Sequence, residues 1–338
     1  MCNRVHVKAG EHMDDEFWKQ ICNTVVYKGC FPIDNMLEYN IKRVWSVQRS
    51  NVKYQIEIVT LVNSKNIQII TDKQVQFKKI YAMLCNVLGY ECLYDGRFFA
   101  PESITIDGVE CISKIQEYML AYYSGSNYYT KFSQPMNDTK YKQGFCAWER
   151  FDKEYRLMNQ MYHNMGYGKG ITSDLRLALL TEVSEPLSKL LESKKLISIE
   201  KENPTRIQKI TCPNCGGDFE REIKLDVTFA DKIRAIISNY GNEVIFSGDD
   251  IDTIIKRTVN TRNKLLHVNY KKKEILSGGE CGFYIKKYVD MYRIILMKNL
   301  GIYSEDNQKE LEDSVKKFNE NFPQLRIKKK RVHKKKTN

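Results

Sequence analysis

Apolar residues in the C-terminal half of the chain are spaced by threes and fours, which is typical of amphipathic helices. The first such stretch covers residues 175–196, LRLALLTEVSEPLSKLLESKKL. One face of it carries Leu179, Leu180, Val183, Leu187, Leu190 and Leu191. Ser173 or Asp174 is suited to cap the start of this helix. Pro186 predicts a kink or local break within it.

Three further helices are predicted by the same spacing. The second predicted helix covers about 228–240 and is closed by Gly241. The third is capped near Asp249 or Asp250, and the fourth covers about 281–300 and ends before Gly301. Each has one apolar face, and four such faces can bury one another. We therefore expect an all-α four-helix bundle over residues 166–305.

The N-terminal part has the shorter period of β-strands. VKYQIEIVTLV (52–62) and NIQIITD (66–72) alternate or cluster β-branched residues, and VECISKI (109–115) continues the pattern. One amphipathic helix is predicted from Val75 to Tyr90, ending near Gly89. The pattern indicates an antiparallel β-rich domain over residues 1–165, so the fold class is α+β.

A hairpin interrupts the helical pattern at residues 205–226, where two short strands flank the turn CPNCGG. Cys212 and Cys215 have the spacing of half a zinc ribbon and predict a structural zinc site. A tetrahedral site needs two more ligands. The candidates are Cys146, His163, Cys281 or the same cysteine pair of a second subunit. The alternative is a metal-free turn with two reduced thiols.

Charge is concentrated at the C-terminus. The 338-residue chain has a net charge of +12, and eight of its Lys and Arg residues lie in the last thirteen positions. Residues 306–338 are predicted to form a polar helix and a basic tail, which could bind phosphate backbones or simply promote solubility. Residues 111–170 are rich in aromatic residues, which could stack on bases, although packing between domains is the favoured interpretation.

The chain lacks an apolar run of the roughly 18 residues that span a bilayer, and its first residues lack a signal-peptide core. We therefore expect a cytoplasmic protein with no membrane partner and with its ten cysteines reduced. The N-terminal part also shows no phosphate-binding glycine loop, nucleophile elbow or paired acidic motif.

The clearest chemical motif is TRNKLLHVN, residues 261–269, at the end of the third helix. Arg262 falls on the apolar stripe, where an unpaired charge is costly to bury, so it needs an anionic partner or ligand. Asn263 lies one turn before His267 on nearly the same face. An arginine, an amide and a titratable imidazole therefore border one side of the helix.

This arrangement resembles the HEPN superfamily and its R-x4-6-H ribonuclease motif, here Arg262, Asn263 and His267. ALLTEVSEPLSKLL in the first helix, and RNKLLHVNY followed by a Gly-Gly loop and a long last helix, are most similar to ApeA-type HEPN proteins of bacterial anti-phage defence. Such proteins pair a β-rich N-terminal domain with a C-terminal HEPN domain. The resemblance covers about residues 170–302 and is only architectural for residues 1–165.

The resemblance implies a metal-independent endoribonuclease that needs no cofactor for catalysis and acts as a homodimer on RNA. His267 would move protons, Arg262 would hold the scissile phosphate, and Asn263 would orient the imidazole or a phosphate oxygen. It also implies an abortive-infection effector whose N-terminal domain responds to a phage-derived trigger.

Two interpretations compete with catalysis. In the first, Arg262 pairs with Glu182 or Glu185 on the first helix, His267 merely ends its own helix, and the chain is a non-catalytic RNA-binding or sensor module that dimerises through its helical domain. Glu182 could instead be a functional acidic neighbour of the motif. Nucleotidyl transfer is disfavoured, because the chain has no Gly-Ser followed by spaced acidic residues to hold two metals.

Overall fold

The computed structural model describes most of the chain and divides it into two compact units. The first unit draws on residues 1–92, 98–125 and 135–149, and the second on 93–97, 126–134 and 150–338. The described residues are 15–30, 40–62, 64–96, 100–111, 132, 136–167, 170–201, 204–267, 271 and 273–328.

The first unit is built on a six-stranded sheet in which every neighbouring pair of strands is antiparallel. The strand order is β2-β3-β4-β1-β5-β6. The strands are β1 (Ile21–Cys30), β2 (Ile41–Arg49), β3 (Val52–Thr60), β4 (Ser64–Gln76), β5 (Ala100–Ile106) and β6 (Val109–Glu110). The short helix α1 (Asp15–Lys19) precedes the sheet, and α2 (Phe77–Asp95) follows β4. The prediction of an antiparallel β-rich region is confirmed.

The sheet buries alternate side chains, as the period-two pattern predicts. Residues 52, 54, 56, 58 and 60 of β3 are all buried. Described aromatic residues of 136–149 also belong to this core: the Trp45 ring contacts Tyr141 and Phe145 at centroid distances of 5.7 and 5.2 Å. Trp148 donates a hydrogen bond to the Asn86 carbonyl at 3.0 Å. These aromatic residues are therefore structural.

The predicted bounds of α2 were wrong at both ends. Val75 continues β4 and pairs with Cys22, and the helix passes through Gly89 to end at Asp95. The apolar residues that follow the glycine, Tyr90 and Leu93 among them, are buried. Burial of these side chains outweighs the cost of a glycine inside a helix, about 1 kcal/mol.

The second unit is helical. The long helix α3 (Asp138–Tyr167) begins in the first unit and ends in the second. The other helices of the second unit are α4 (Ser173–Thr181), α5 (Ser184–Ser193), α6 (Phe229–Tyr240), α7 (Ile251–Leu266), α8 (Gly278–Asn299) and α9 (Glu305–Asn321). Helix α4 packs against α7 and α8, α5 against α6, and α6 against α7 and α8. Helices α4 and α5 together form the first predicted helix, so the four predicted helices pack as expected and the α+β class is confirmed.

The helix ends show how local sequence sets the elements. The first predicted helix breaks at Glu182, and Pro186 lies in the first turn of α5, where its missing N–H costs little. The predicted cap was wrong by one or two residues: Thr172 precedes α4, and the Asp174 carboxylate accepts a hydrogen bond from the Leu175 amide at 2.9 Å. Asp250 caps α7, as predicted.

The CxxC segment forms the predicted hairpin, with β7 (Thr205–Thr211) antiparallel to β8 (Asp218–Lys224). After α9, Arg326 returns to the start of α7 and donates a hydrogen bond to Asp249 at 2.9 Å. Lys287 pairs with the same buried carboxylate.

Parts of two predicted features lie outside the described residues. They are residues 112–131 of the aromatic segment and the basic tail beyond residue 328. Among the described helices, none combines the length and apolar character needed to cross a bilayer.

Candidate active site

Helix α7 holds the motif, and both of its ends are fixed by hydrogen bonds. At the start, the Asp250 carboxylate accepts from the Thr253 amide at 3.2 Å. Near the end, the buried Thr261 hydroxyl donates to the Arg257 carbonyl at 2.8 Å and accepts from the Leu276 amide at 3.0 Å. The turn that carries Arg262 is therefore tied to the loop before α8.

Arg257 reinforces this attachment one turn earlier. Its guanidinium binds Glu280 through Nη1 and Nη2 at 2.8 and 2.7 Å, and Nε donates to the Ile275 carbonyl at 3.1 Å. Burial raises the pKa of Glu280, but hydrogen bonds from Ser277 and Arg257 outweigh it and hold the pKa below its usual value. Glu280 also caps α8 with Ser277.

Arg262 lies at the centre of a polar cluster. Its Nε donates to Glu182, which lies in the break between α4 and α5. Nη1 donates to Asn263 Oδ1 at 2.9 Å and lies 3.2 Å from His267 Nε2. The guanidinium carbon is 4.5 Å from the centre of the Phe229 ring, a cation–π distance. The structure therefore brings Arg262, Asn263, His267 and Glu182 together.

His267 is the exposed C-cap residue of α7, and its backbone amide donates to the Asn263 carbonyl at 3.3 Å. An arginine can only donate, so in its contact with Arg262 the His267 Nε2 must act as acceptor. The Nε2 lone pair is then directed at the guanidinium, so a ligand has to displace this contact before Nε2 can take its proton.

The ion pair of Arg262 also agrees with the alternative in which this arginine only stabilises the bundle. Its carboxylate partner is Glu182, and Glu185 instead binds Lys232 and Lys189. Burial raises the pKa of Glu185, but the hydrogen bond and charge of Lys232 hold it below its usual value. The same contacts thus stabilise the bundle and gather the polar groups.

Phe229 is the member of the cluster that sequence reasoning did not assign to the site. Its place in the apolar spacing of residues 228–240 predicts a core position. It is the first residue of that helix, just after the Thr228 cap, and its side chain is only partly buried. An aromatic residue at the exposed start of a helix is a weak signal, and only the packing of α6 beside α7 shows its contact with Arg262.

The CPNCGG turn has the backbone of a metal knuckle. The Cys212 amide donates to the Gly217 carbonyl at 2.9 Å, and Gly216, at φ +72°, returns an amide hydrogen bond to the Cys212 carbonyl at 2.9 Å. Amides of Asn214 and Cys215 donate to the Cys212 sulfur and hold the pKa of this thiol below its usual value.

The predicted ligands from the helical unit were wrong. Within the described part of the chain, no group of three or more His, Cys, Asp or Glu side chains could hold a metal ion, so His163 and Cys281 do not join the pair. Cys281 is buried in the bundle, where burial raises the pKa of its thiol to about 12. Burial lowers the pKa of His163 to about 4. A complete zinc site among the described residues of one chain is therefore not supported.

Comparison with known families agrees with the motif. Residues 181–306 match the family model described as Apea-like HEPN. The matched segment includes Glu182, the CxxC hairpin and the Arg262–His267 motif, and it supports the predicted resemblance to ApeA-like proteins of the HEPN superfamily. No curated protein and no solved structure shows a significant match to the chain.

Proposed function

We propose, from the premise that residues 181–306 are an Apea-like HEPN domain, that this chain is a metal-independent endoribonuclease. The family match points to nuclease or RNA-related activity in ApeA-like defence proteins. The finer proposal assigns Arg262, Asn263 and His267 to catalysis, with RNA cleaved by its own 2′-hydroxyl group.

One observation carries this assignment: Arg262 Nη1 contacts both Asn263 and His267 on a partly exposed flank of α7. Glu182 and Phe229 hold the other side of the guanidinium. Among the described residues, none accepts a hydrogen bond from Nη2, and we assign this donor to a phosphate oxygen. An arginine held in this way beside an imidazole is suited to a phosphodiester substrate.

The chemistry needs few protein groups, because RNA supplies the nucleophile. His267 accepts the proton of the 2′-hydroxyl, whose oxygen attacks the adjacent phosphorus while the 5′-oxygen leaves with a proton from a general acid. Arg262 stabilises the negative charge that develops on the phosphate oxygens. The products are a 2′,3′-cyclic phosphate and a 5′-hydroxyl, and DNA should resist cleavage.

This mechanism calls for a second copy of the chain. Among the described residues of one protomer, a single imidazole lies in the cluster, and the reaction uses both a base and an acid. A two-fold related protomer would supply the same residues from its own α7. We therefore propose a homodimer in which the two motif helices line one cleft.

A specific contact favours a second candidate, a non-catalytic RNA-binding or sensor module. The ion pair between Arg262 and Glu182 is what a purely structural arginine would make. In that case His267 would only terminate α7, and RNA would be bound without being cut.

A cleavage assay separates these candidates. We expect the full chain to cut RNA, to leave 2′,3′-cyclic phosphate ends, and to fail on the same RNA carrying one 2′-deoxyribose at the cut site. His267→Ala should lower the rate about 10²–10⁴-fold. Asp252→Ala is the control, since this exposed residue lies at the other end of the same helix, about 22 Å away. Binding of RNA without any cleavage would favour the module instead.

The proposed biological role is an abortive-infection effector that stays dormant until its N-terminal unit responds to a phage-derived trigger. Sequencing of RNA ends after induced expression, comparing the wild type with His267→Ala, tests this role and identifies the RNA target. Identical RNA ends and identical growth from the two proteins, in infected cells as well, would contradict it.

A further inference from the structure

The hairpin of β7 and β8 contains a chemical feature that the proposed nuclease does not use. Nearly every residue of its strands is exposed, and the two strands form a separate two-stranded sheet. An isolated hairpin of this kind is marginally stable in water. Something beyond its own backbone hydrogen bonds is therefore expected to hold it.

The turn at the tip of the hairpin is preformed for a metal. The Cys212 amide donates to the Gly217 carbonyl and the Gly216 amide donates to the Cys212 carbonyl, each at 2.9 Å, so the turn is closed by its own backbone. Gly216 takes the left-handed conformation that an L side chain rarely adopts, and no described atom obstructs the space beside it. Neither cysteine is buried: Cys212 is partly exposed and Cys215 is exposed.

One chain supplies too few ligands. A structural zinc ion takes four ligands in a tetrahedron, and a four-thiolate site is built from two cysteine pairs of this spacing. Among the described residues, no third His, Cys, Asp or Glu side chain joins Cys212 and Cys215. The described part of the chain thus leaves two ligand positions open, and we look for them in a second molecule.

A second copy of this chain fits that requirement, because it presents an identical pair of cysteines on an identical exposed tip. The surface beside the tip suits such a contact. Ile210 lies opposite Phe219 next to the turn, and Phe219 is 50 % exposed. Lys209 and Glu220, on the other face, present both signs of charge. A two-fold axis through the metal would bring the two Ile210–Phe219 pairs together and cover them.

We propose that Cys212 and Cys215 of two copies of this chain bind one zinc ion through four thiolates and so join the two hairpins. The site is structural, and its chemistry is independent of the proposed ribonuclease, since it involves neither Arg262 nor His267. Zinc displaces the thiol protons on binding, so no oxidant or reductant is needed.

The test uses the full chain, purified without chelators, in native mass spectrometry and metal analysis. We expect about 0.5 zinc per chain, carried as one ion for each pair of chains. After chelation, added Zn²⁺ should restore this ratio. Cys212→Ser and Cys215→Ser should each lose the metal, whereas Cys85→Ser, which removes an exposed cysteine in α2, should keep it.

A second measurement guards against misfolded variants. In the wild type, Cys212 and Cys215 should resist alkylation with zinc present and react after chelation, while circular dichroism stays unchanged. One zinc per chain, no zinc, or an intramolecular Cys212–Cys215 disulfide in the freshly purified protein would each overturn the proposal. His267→Ala should bind zinc like the wild type, so a failure of this proposal and a failure of the nuclease assignment are read separately.

Discussion

Replacing Arg262 by alanine tests whether this arginine acts on substrate or only stabilises the bundle. The variant loses the ion pair to Glu182, the hydrogen bonds to Asn263 and His267 and the contact with Phe229. Stability alone cannot separate the two roles, because both predict a loss. A matched arginine is needed.

Arg257 is that match, on the same helix. The side chains of Arg262 and Glu182 are 18 % and 24 % exposed, and those of Arg257 and Glu280 are 24 % and 17 % exposed. Hydrogen bonds to charged groups contribute about 1.5–3 kcal/mol, so each alanine variant should lose stability in that range. Arg257 also binds the Ile275 carbonyl, so its loss should be at least as large.

The rates should differ where the stabilities do not. Removing a donor that stabilises charge in a transition state costs about 2.7–4 kcal/mol, or about 10²–10³ in rate. We expect Arg262→Ala to lose that factor and Arg257→Ala to lose clearly less, because Arg257 ties α7 to the loop before α8 without contacting the cluster. Each should melt about 3–12 °C lower, at about 2–4 °C per kcal/mol.

Single-turnover cleavage of a labelled RNA, well below both melting temperatures, measures the rates, and thermal unfolding measures stability. If Arg262→Ala cleaved RNA as fast as Arg257→Ala, the phosphate-binding role would be wrong and the ion pair would be purely structural.

Three further predictions concern the titratable side chains of Glu182, Asp249 and His163. Glu182→Gln keeps the shape beside Arg262 but removes its counter-charge, so the cleavage rate should fall about tenfold with about 1 kcal/mol of stability lost; an unchanged single-turnover rate would show that Glu182 does not position the arginine. Asp249→Asn leaves the buried Lys287 without its carboxylate, and urea unfolding should show a loss of about 3 kcal/mol, so a change below about 1 kcal/mol would contradict this. Burial lowers the pKa of His163 to about 4. As the pH falls below about 6.5, the imidazole is therefore protonated in the unfolded chain before it is protonated in the folded chain. Its contribution to stability is complete above that pH and is lost toward pH 4. Because the residue as a whole is only partly buried, we expect the wild type to lose about 1–2 kcal/mol more than His163→Leu between pH 7 and 5, and equal losses would refute the lowered pKa.

The sequence by itself determined the elements whose cause is local. The spacing of apolar residues located the helices of the bundle, and Thr228, Gly241 and Asp250 marked helix ends, because caps act within one turn. The R-x4-H motif was also visible, since its three residues lie on a single helix. Where a local signal competed with burial, as at Gly89, the sequence prediction was wrong.

Only the tertiary structure decided which distant groups meet. Glu182 reaches Arg262 across 80 residues of sequence because the first helix breaks at that residue and α4 packs on α7. The spacing of Cys212 and Cys215 predicted a knuckle, but the packing of the helical unit did not bring Cys281 or His163 to it. Local patterns record what a residue does with its neighbours in the chain. The partners of a buried charge or a metal ligand depend on how whole elements pack, which no single segment encodes.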